Sequence, residues 1–516
     1  MKNIKEEKRI IEGSKEEKTD GIELGIEVLT QEEIDILCGD KEFKLFDENI
    51  KFEDSEVGYD ISNNMLLVPQ NLKKQYLDGI ISAEEEEKLY FLQDELWDDK
   101  ATAMASNHVF RLFRIGEDRY WMYNVYFTGM PVAKLCSVEL PKENDKYQET
   151  VGTMWVYDQY REDARYQQET CIFRLRGASS FGFPKSSFKI TFTEKDLSLL
   201  GMREDDDWIL NSLYDDEGLI HNKISYELWQ QIAADNRVTK DEGISMEYLE
   251  LFIDDRYLGV YGLLERIDKK ELGLNAKDIL YKGVDSKEIG KDDFYLELTE
   301  EMEPAYELKY PAVFRQEDWE PLKTWIYNLY DGGNLDYQSA KKILNMENAV
   351  DYLLFNVYIG GGDNTKKNIY YWADYQSNGA YQIIKIPWDL NITWGNSYTE
   401  ELHKYHFNIY KEKYIDGVYG WTKDMEHLYE LNPEEVGEML SKRWKALRRN
   451  IITEENIYRM LDQWLGYIHT SGAYARDCLF WGSREEYWSD QYIYDYAERK
   501  IEMMDQYIES LRIINE

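Results

Sequence analysis

With 516 residues, 43% of them hydrophobic and 15% aromatic, the chain is long enough to bury two or three cores and too apolar to remain unfolded. Its 61 Lys and Arg against 101 Asp and Glu leave a net charge of −40, which argues against nucleic acid and against an anionic membrane surface, since both would repel it. The four scattered cysteines (Cys38, Cys136, Cys171 and Cys478) show no CxxC spacing, so neither a zinc site nor a dense disulfide framework is expected, and no window of about 18 apolar residues is available for a membrane span.

Residues 1–20 alternate Lys and Glu and read as a disordered or fraying tail. Residues 21–99 hold 22 acidic against 6 basic residues, and Glu84-Glu85-Glu86-Glu87 sits in a run expected to be helical up to Trp97. Residues 1–100 are therefore expected to form an acidic accessory region, partly disordered. From about 106 the periodicity turns to strands: Phe110–Ile115, Tyr120–Tyr126, Cys171–Arg176 and Phe188–Phe192 alternate between apolar and polar positions. Apolar residues at Ile224, Leu228 and Ile232 predict a helix over 220–234, with Asn222 near its start. Tyr248–Ile253 and Gly259–Leu264 flank Asp254-Asp255-Arg256-Tyr257 as a hairpin.

Beyond 265 helices dominate, over 319–329, 340–359, 433–447 and most of the stretch from 454 onward. Asn432 is a natural N-cap and Pro433 fits the first helical position. Between them, Ile369–Trp372 and Tyr381–Ile386 predict a strand pair. Strands followed by helices predict an α+β protein of two lobes, a strand-rich 101–265 and a helical 266–516.

The chemistry concentrates in Gly360-Gly361-Gly362-Asp363-Asn364-Thr365-Lys366-Lys367-Asn368 and, after the predicted hairpin, in Pro387-Trp388-Asp389-Leu390-Asn391. An Asp, an Asn five positions on and a second Asp beyond a hairpin suit phosphoryl transfer: one carboxylate orients a hydroxyl, while the amide and the second carboxylate hold metal. The same residues would equally serve as a helix terminus with a polar turn and a capped loop. Upstream, Arg174-Leu175-Arg176-Gly177-Ala178-Ser179-Ser180-Phe181-Gly182-Phe183-Pro184-Lys185 is not a Walker loop, because strands flank it and Phe183-Pro184 separates Gly182 from Lys185. It is still a Gly/Ser turn with Arg176, Lys185 and Lys189 nearby, able to bind phosphate through amides and charge. Glu265-Arg266 closes a strand where the two halves meet, as a hinge at adenine or as a salt bridge. Glu227 is a candidate partner for a strand lysine.

Several of these segments, taken together, resemble the CotH family of spore coat protein H kinases. They are Arg176-Gly177-Ala178-Ser179-Ser180 with Pro184-Lys185-Ser186-Ser187-Phe188, Trp208-Ile209-Leu210-Asn211 with Leu219-Ile220-His221-Asn222-Lys223, Gly259 through Asp268, Phe355-Asn356 through Asn368, and Ile386 through Leu390. Their order and spacing cover about 130–400. The resemblance implies a divergent kinase-like fold using ATP with Mg2+ or Mn2+ to phosphorylate Ser or Thr in proteins. In it Asp363 is the catalytic Asp, Asn368 and Asp389 are metal ligands, and Lys185 with Arg176 is the phosphate pair. Ala178, His221 and Asn391 depart from the family's usual Asn, Arg and Asp. The implied substrates are basic, Ser-rich coat or surface proteins, which so acidic a chain would attract. The competing readings are a non-catalytic acidic scaffold and a kinase-like AMP transferase. The expected location is the cytoplasm or spore coat, or the cell surface if an export signal precedes the chain.

Overall fold

The computed structural model describes residues 26–513, apart from 45–56, 72–86, 138, 140, 143–144, 163–165, 178, 237–242, 286–300, 303–304, 314, 331–332, 400–403, 408–417 and 483–487. The tail predicted over 1–20 lies outside the described residues. One sheet comprises β1 (Glu27–Leu29), β2 (Glu42–Lys44), β3 (Gly58–Asp60), β4 (Met65–Pro69), β5 (Lys88–Leu92), β6 (Phe110–Ile115) and β7 (Arg119–Thr128). Its order is β1-β5-β6-β7-β4-β3, with β2 also on β7.

β4 is buried along its whole length, which accounts for the uninterrupted apolar run Met65-Leu66-Leu67-Val68. Leu66 and Val68 pack with Tyr59, Phe91, Phe110 and Phe127, while Met65 and Leu67 face Val132, Phe252 and Tyr257. The acidic run before Trp97 behaves differently from expectation. Glu84, Glu85 and Glu86 lie outside the described residues, and Lys88–Leu92 form the strand β5 rather than a helix. Phe91 is fully buried there and β5 pairs with both β1 and β6, so long-range pairing outweighs the helical preference of the glutamates.

The chain continues through β8 (Val132–Ser137), β9 (Thr150–Tyr157), β10 (Tyr166–Arg176), β11 (Ser187–Phe192), the short β12 (Leu197–Ser198) and β13 (Glu204–Asp205), β14 (Asp207–Asn211), β15 (Met246–Ile253) and β16 (Arg256–Glu265). Seven of these close into a barrel in the order β10-β11-β14-β16-β15-β8-β9. The strands around Phe110, Tyr120, Cys171 and Phe188, and the hairpin at Asp254, stand where periodicity puts them. The closure does not follow from periodicity, because β8 and β15 pair in parallel, Glu250 against Val132 through Ile253 against Leu135, from distant parts of the chain. All four cysteines are free thiols, and burial, the largest cause, pushes the Cys171 thiol up to about 12.

The later strands β17 (Ile279–Gly283), β18 (Glu301–Met302), β19 (Tyr306–Tyr310), β20 (Ile369–Tyr375) and β21 (Tyr381–Pro387) form a five-stranded sheet ordered β18-β19-β17-β20-β21. The helices that matter for the site are α1 (His221–Asp235), α2 (Met346–Ile359), α3 (Pro433–Asn450), capped by the Asn432 side chain as expected, and α4 (Ala473–Trp481). The α+β class therefore holds, with a barrel and a second sheet that periodicity does not indicate.

The chain divides into two compact units, one of residues 1–206, 248–261 and 467–482, the other of 207–247, 262–466 and 483–516. Within the first, the Arg476 guanidinium meets Glu250 at 2.8 and 2.9 Å, and Tyr257 and Thr128 donate to the same carboxylate. This fully buried ion pair ties α4 to β15. Within the second, Lys385 on β21 meets Asp424 at 2.7 Å, also fully buried, and Trp325 donates to that carboxylate. Among the described residues no helix is long and apolar enough to cross a membrane.

Candidate active site

The Asp363 loop begins where α2 ends. Gly360 takes the left-handed conformation (φ 68°) and its N–H closes onto Asn356 and Val357 carbonyls, the usual reason for glycine after a helix. Gly361 is required by crowding, since a Cβ there would stand 2.0 Å from Asn356 Oδ1. Asn364, fully buried, then fastens the loop. Its amide donates to the carbonyls of Asn368 (3.1 Å) and Trp388 (2.7 Å), while its own carbonyl accepts from Tyr352 and Asn356. The sequence places Asn364 in the matching motif without assigning it this task.

Asp363 is part-exposed, and both of its oxygens are engaged: Oδ2 accepts from Asn368 Nδ2 at 2.8 Å and Oδ1 meets Lys367 Nζ at 3.0 Å. Asn368 adopts a left-handed φ of 57°, which an Asn tolerates better than most residues. It precedes β20, whose register with β21 sets Ile369 opposite Pro387. The open end of this hairpin therefore puts Asn368 next to Trp388, whose N–H donates to the Asn368 carbonyl at 3.0 Å. Asp389 follows at once, also with φ 57°.

The Asp389 segment is held by α1. Tyr226 accepts from the Asp389 N–H at 3.1 Å, Asn222 accepts from the Leu390 N–H at 2.8 Å, and Ser225 accepts from Trp394. Asn222 thus serves this segment, and the N-terminus of α1 is capped instead by Asp216. Asp216 accepts from the N–H groups of Ile220 and His221 and meets the His221 ring at 2.6 Å. That fully buried pairing gives His221 a structural place of its own, and Ala178 lies outside the described residues.

Asn391 donates to Asp215 Oδ2 at 2.6 Å. Although Asp215 is half-buried as a residue, its carboxyl is crowded by protein atoms. That burial, followed by the charge of Asp389, pushes its pKa up to about 7. A raised carboxyl pKa means that the folded state binds a proton more tightly than the unfolded chain, so stability falls as pH rises from about 4 to about 7 and then levels off. We expect Asp215→Asn, which keeps an oxygen acceptor for Asn391, to raise the melting temperature at pH 8 by several degrees and to leave it nearly unchanged at pH 4. Equal shifts at the two values would contradict the assignment; calorimetry in a chelator-containing buffer measures both.

The donors present suit a small hard cation. Asn368 spends its Nδ2 on Asp363, and its Oδ1 accepts from none of the described residues, so amide oxygen and Asp389 carboxylate are both oxygen ligands of the kind Mg2+ takes alongside phosphate. Among the described residues no three His, Cys, Asp or Glu side chains converge into a metal cage. A cavity of about 720 Å3 lined by Lys277, Arg315, Lys342, Tyr375 and Tyr381 opens at the opposite end of β20 and β21, and none of the site residues lines it.

The basic residues lie in the other unit. Lys185, just before β11, is buried; its Nζ meets Asp477 Oδ1 on α4 at 2.5 Å and donates to the Val260 carbonyl at 2.7 Å. The Val260 N–H donates to the same Asp477 oxygen, and Gly259 is glycine because a Cβ there would lie 2.2 Å from it. Sequence reasoning misses Asp477, which stands 292 residues from Lys185 with no motif around it. Lys189 pairs in register with Arg174, and Arg176 with Ser187; all three basic side chains occupy the partly exposed positions of the β10–β11 ladder. Glu227, a candidate for a strand lysine, instead accepts from Trp464 and lies 3.9 Å from Arg459. Glu265 is buried and accepts from the Ser245 N–H at 2.7 Å, whereas Arg266 pairs with Asp207.

Against family models, residues 173–512 match the one described as CotH kinase protein, well over half of the chain. The chain belongs to the CotH family. The match starts later than the resemblance suggested and runs on to 512, so the helices after residue 400 are part of the family's domain. No curated protein matches the chain. CotH membership marks the chain as kinase-like.

Proposed function

We propose that this CotH protein is an atypical Ser/Thr protein kinase that transfers the γ-phosphate of ATP to protein hydroxyls. The observation that carries the reading is the division of labour at Asn368, whose amide nitrogen orients Asp363 while its amide oxygen is left for a cation beside Asp389. Asp363 receives the hydroxyl and takes its proton as the new bond forms. Asn368 and Asp389 are the oxygen ligands for Mg2+ or Mn2+, which when bound neutralises charge on the ATP phosphates. Arg176, Lys185 and Lys189 are the candidate phosphate-binding cations, Lys185 being held by Asp477, and Glu265 is the candidate adenine contact. With a net charge of −40 the protein would draw in basic, Ser-rich substrates such as coat or surface proteins.

Incubation with Mg2+, a basic Ser-rich protein and ATP labelled at either the γ- or the α-phosphate tests the reading. Transfer from the γ-position alone is expected. Transfer from the α-position would make the chain an AMP transferase, and transfer from neither would leave an acidic scaffold.

A further inference from the structure

Asp215 differs from most of the acids that pack inside this chain. Glu250, Asp351, Asp424 and Asp477 each meet an Arg or a Lys. Among the described residues no cation pairs with Asp215; burial weighs most on its carboxyl, followed by the negative charge of Asp389. Its neighbours are two amides. Asn391 Nδ2 donates to Asp215 Oδ2 at 2.6 Å, and Asn396 Nδ2 donates to the carbonyls of Asp215 (3.3 Å) and Asn391 (2.8 Å). With the nitrogens so placed, the amide oxygens are left over. Asn391 and Asn396 are 7% and 4% exposed, and neither Oδ1 accepts a hydrogen bond from any described residue. Two buried oxygens without donors, beside a carboxylate without a cation, are costly unless a positive group lies among them.

We propose that Asp215, Asp389 and the Asn391 Oδ1 form a divalent-cation site that fills without nucleotide. The inference rests on the kinase reading only in taking Asp389 as a ligand. Two carboxylates balance the charge of a divalent ion, so no phosphate is needed to complete the site. Two carboxylates and an amide oxygen are the hard-oxygen set that Mg2+ and Mn2+ take, with water filling the remaining positions. Asn396 Oδ1 is then an acceptor for such a water. The rival account is a hydrogen-bond network that only ties the segment after Asp389 to the chain before α1.

Mn2+ titrated into the full chain without nucleotide, followed by the loss of the free-ion EPR signal, separates the two accounts. We expect the parent to bind Mn2+, and Asp215→Asn to bind it at least about tenfold more weakly, the scale on which metal sites respond even when a residue supporting a ligand is lost. Melting temperature is the second readout. In chelator at pH 8 Asp215→Asn is expected to melt above the parent, which also establishes that it folds. Mn2+ stabilises whichever protein binds it, so the parent should gain several degrees on its addition and the variant far less. Equal Mn2+ affinity in the two proteins, or no binding by the parent until ATP is added, would overturn the proposal. Phosphoryl transfer by a parent whose Mn2+ affinity ignores Asp215 would keep the kinase and remove this site. Mn2+ binding that depends on Asp215, with no transfer, would do the reverse.

Discussion

Asp363→Ala is expected to lower phosphoryl transfer by about three orders of magnitude, the middle of the range for loss of a positioned proton acceptor, with the melting temperature close to that of the parent. The second half of this expectation comes from the loop's construction. Asn364 fastens it, its side-chain amide donating to the Asn368 and Trp388 carbonyls and its main-chain carbonyl accepting from Tyr352 and Asn356, whereas Asp363 is part-exposed and, among the described residues, contacts Lys367 and Asn368 alone. Asn364→Ala should therefore show the opposite pattern, a loss of stability from buried groups left without partners. A variant at 363 that lost activity only in proportion to a loss of folded protein would place Asp363 among the structural residues.

Lys185→Met is expected to destabilise the protein by about 3–5 kcal/mol, the cost of leaving a buried charge unpaired. Both side chains of the Lys185–Asp477 pair are fully buried, so solvent cannot take over the role of the missing partner. Asp477→Asn keeps an oxygen for the Val260 N–H and for Lys185, and should cost less. Urea denaturation of the two variants compares them directly. Under the kinase reading both should also weaken ATP binding, because Asp477 holds Lys185, the candidate phosphate-binding cation, in place. Stability unchanged in Lys185→Met would show that the pair is not an anchor of the fold.

The local parts of the site are legible in the sequence because they depend on neighbours in the chain. The glycines after the long apolar helix announce its end, the alternating runs on either side of Asn378-Gly379 announce a hairpin, and register then carries Asn368 to Trp388 without further information. The parts that are not legible are set by distant segments. Asp477 reaches Lys185 across 292 residues, and Asp215 reaches Asn391 across 176. Asp215 leaves one trace, standing as it does between two matching segments, Trp208–Asn211 and Leu219–Lys223. The barrel closes through a parallel pairing of β8 with β15 that has no local signature. At β5 a glutamate run suggests a helix, and partners on two sides make it a strand. Glu227 is a misassignment of the same origin, because only the packed structure brings Trp464 to it.

Chemistry at Asp363 is the central claim, and the most direct measurement is the fate of the γ-phosphate. The parent protein and Asp363→Ala are each incubated with γ-labelled ATP, Mg2+ and a basic Ser-rich protein, and the label is traced by phosphoamino-acid analysis. Label on Ser or Thr from the parent, absent with Asp363→Ala and lost when the metal is chelated, is the result expected. Equal labelling by both proteins would contradict the claim.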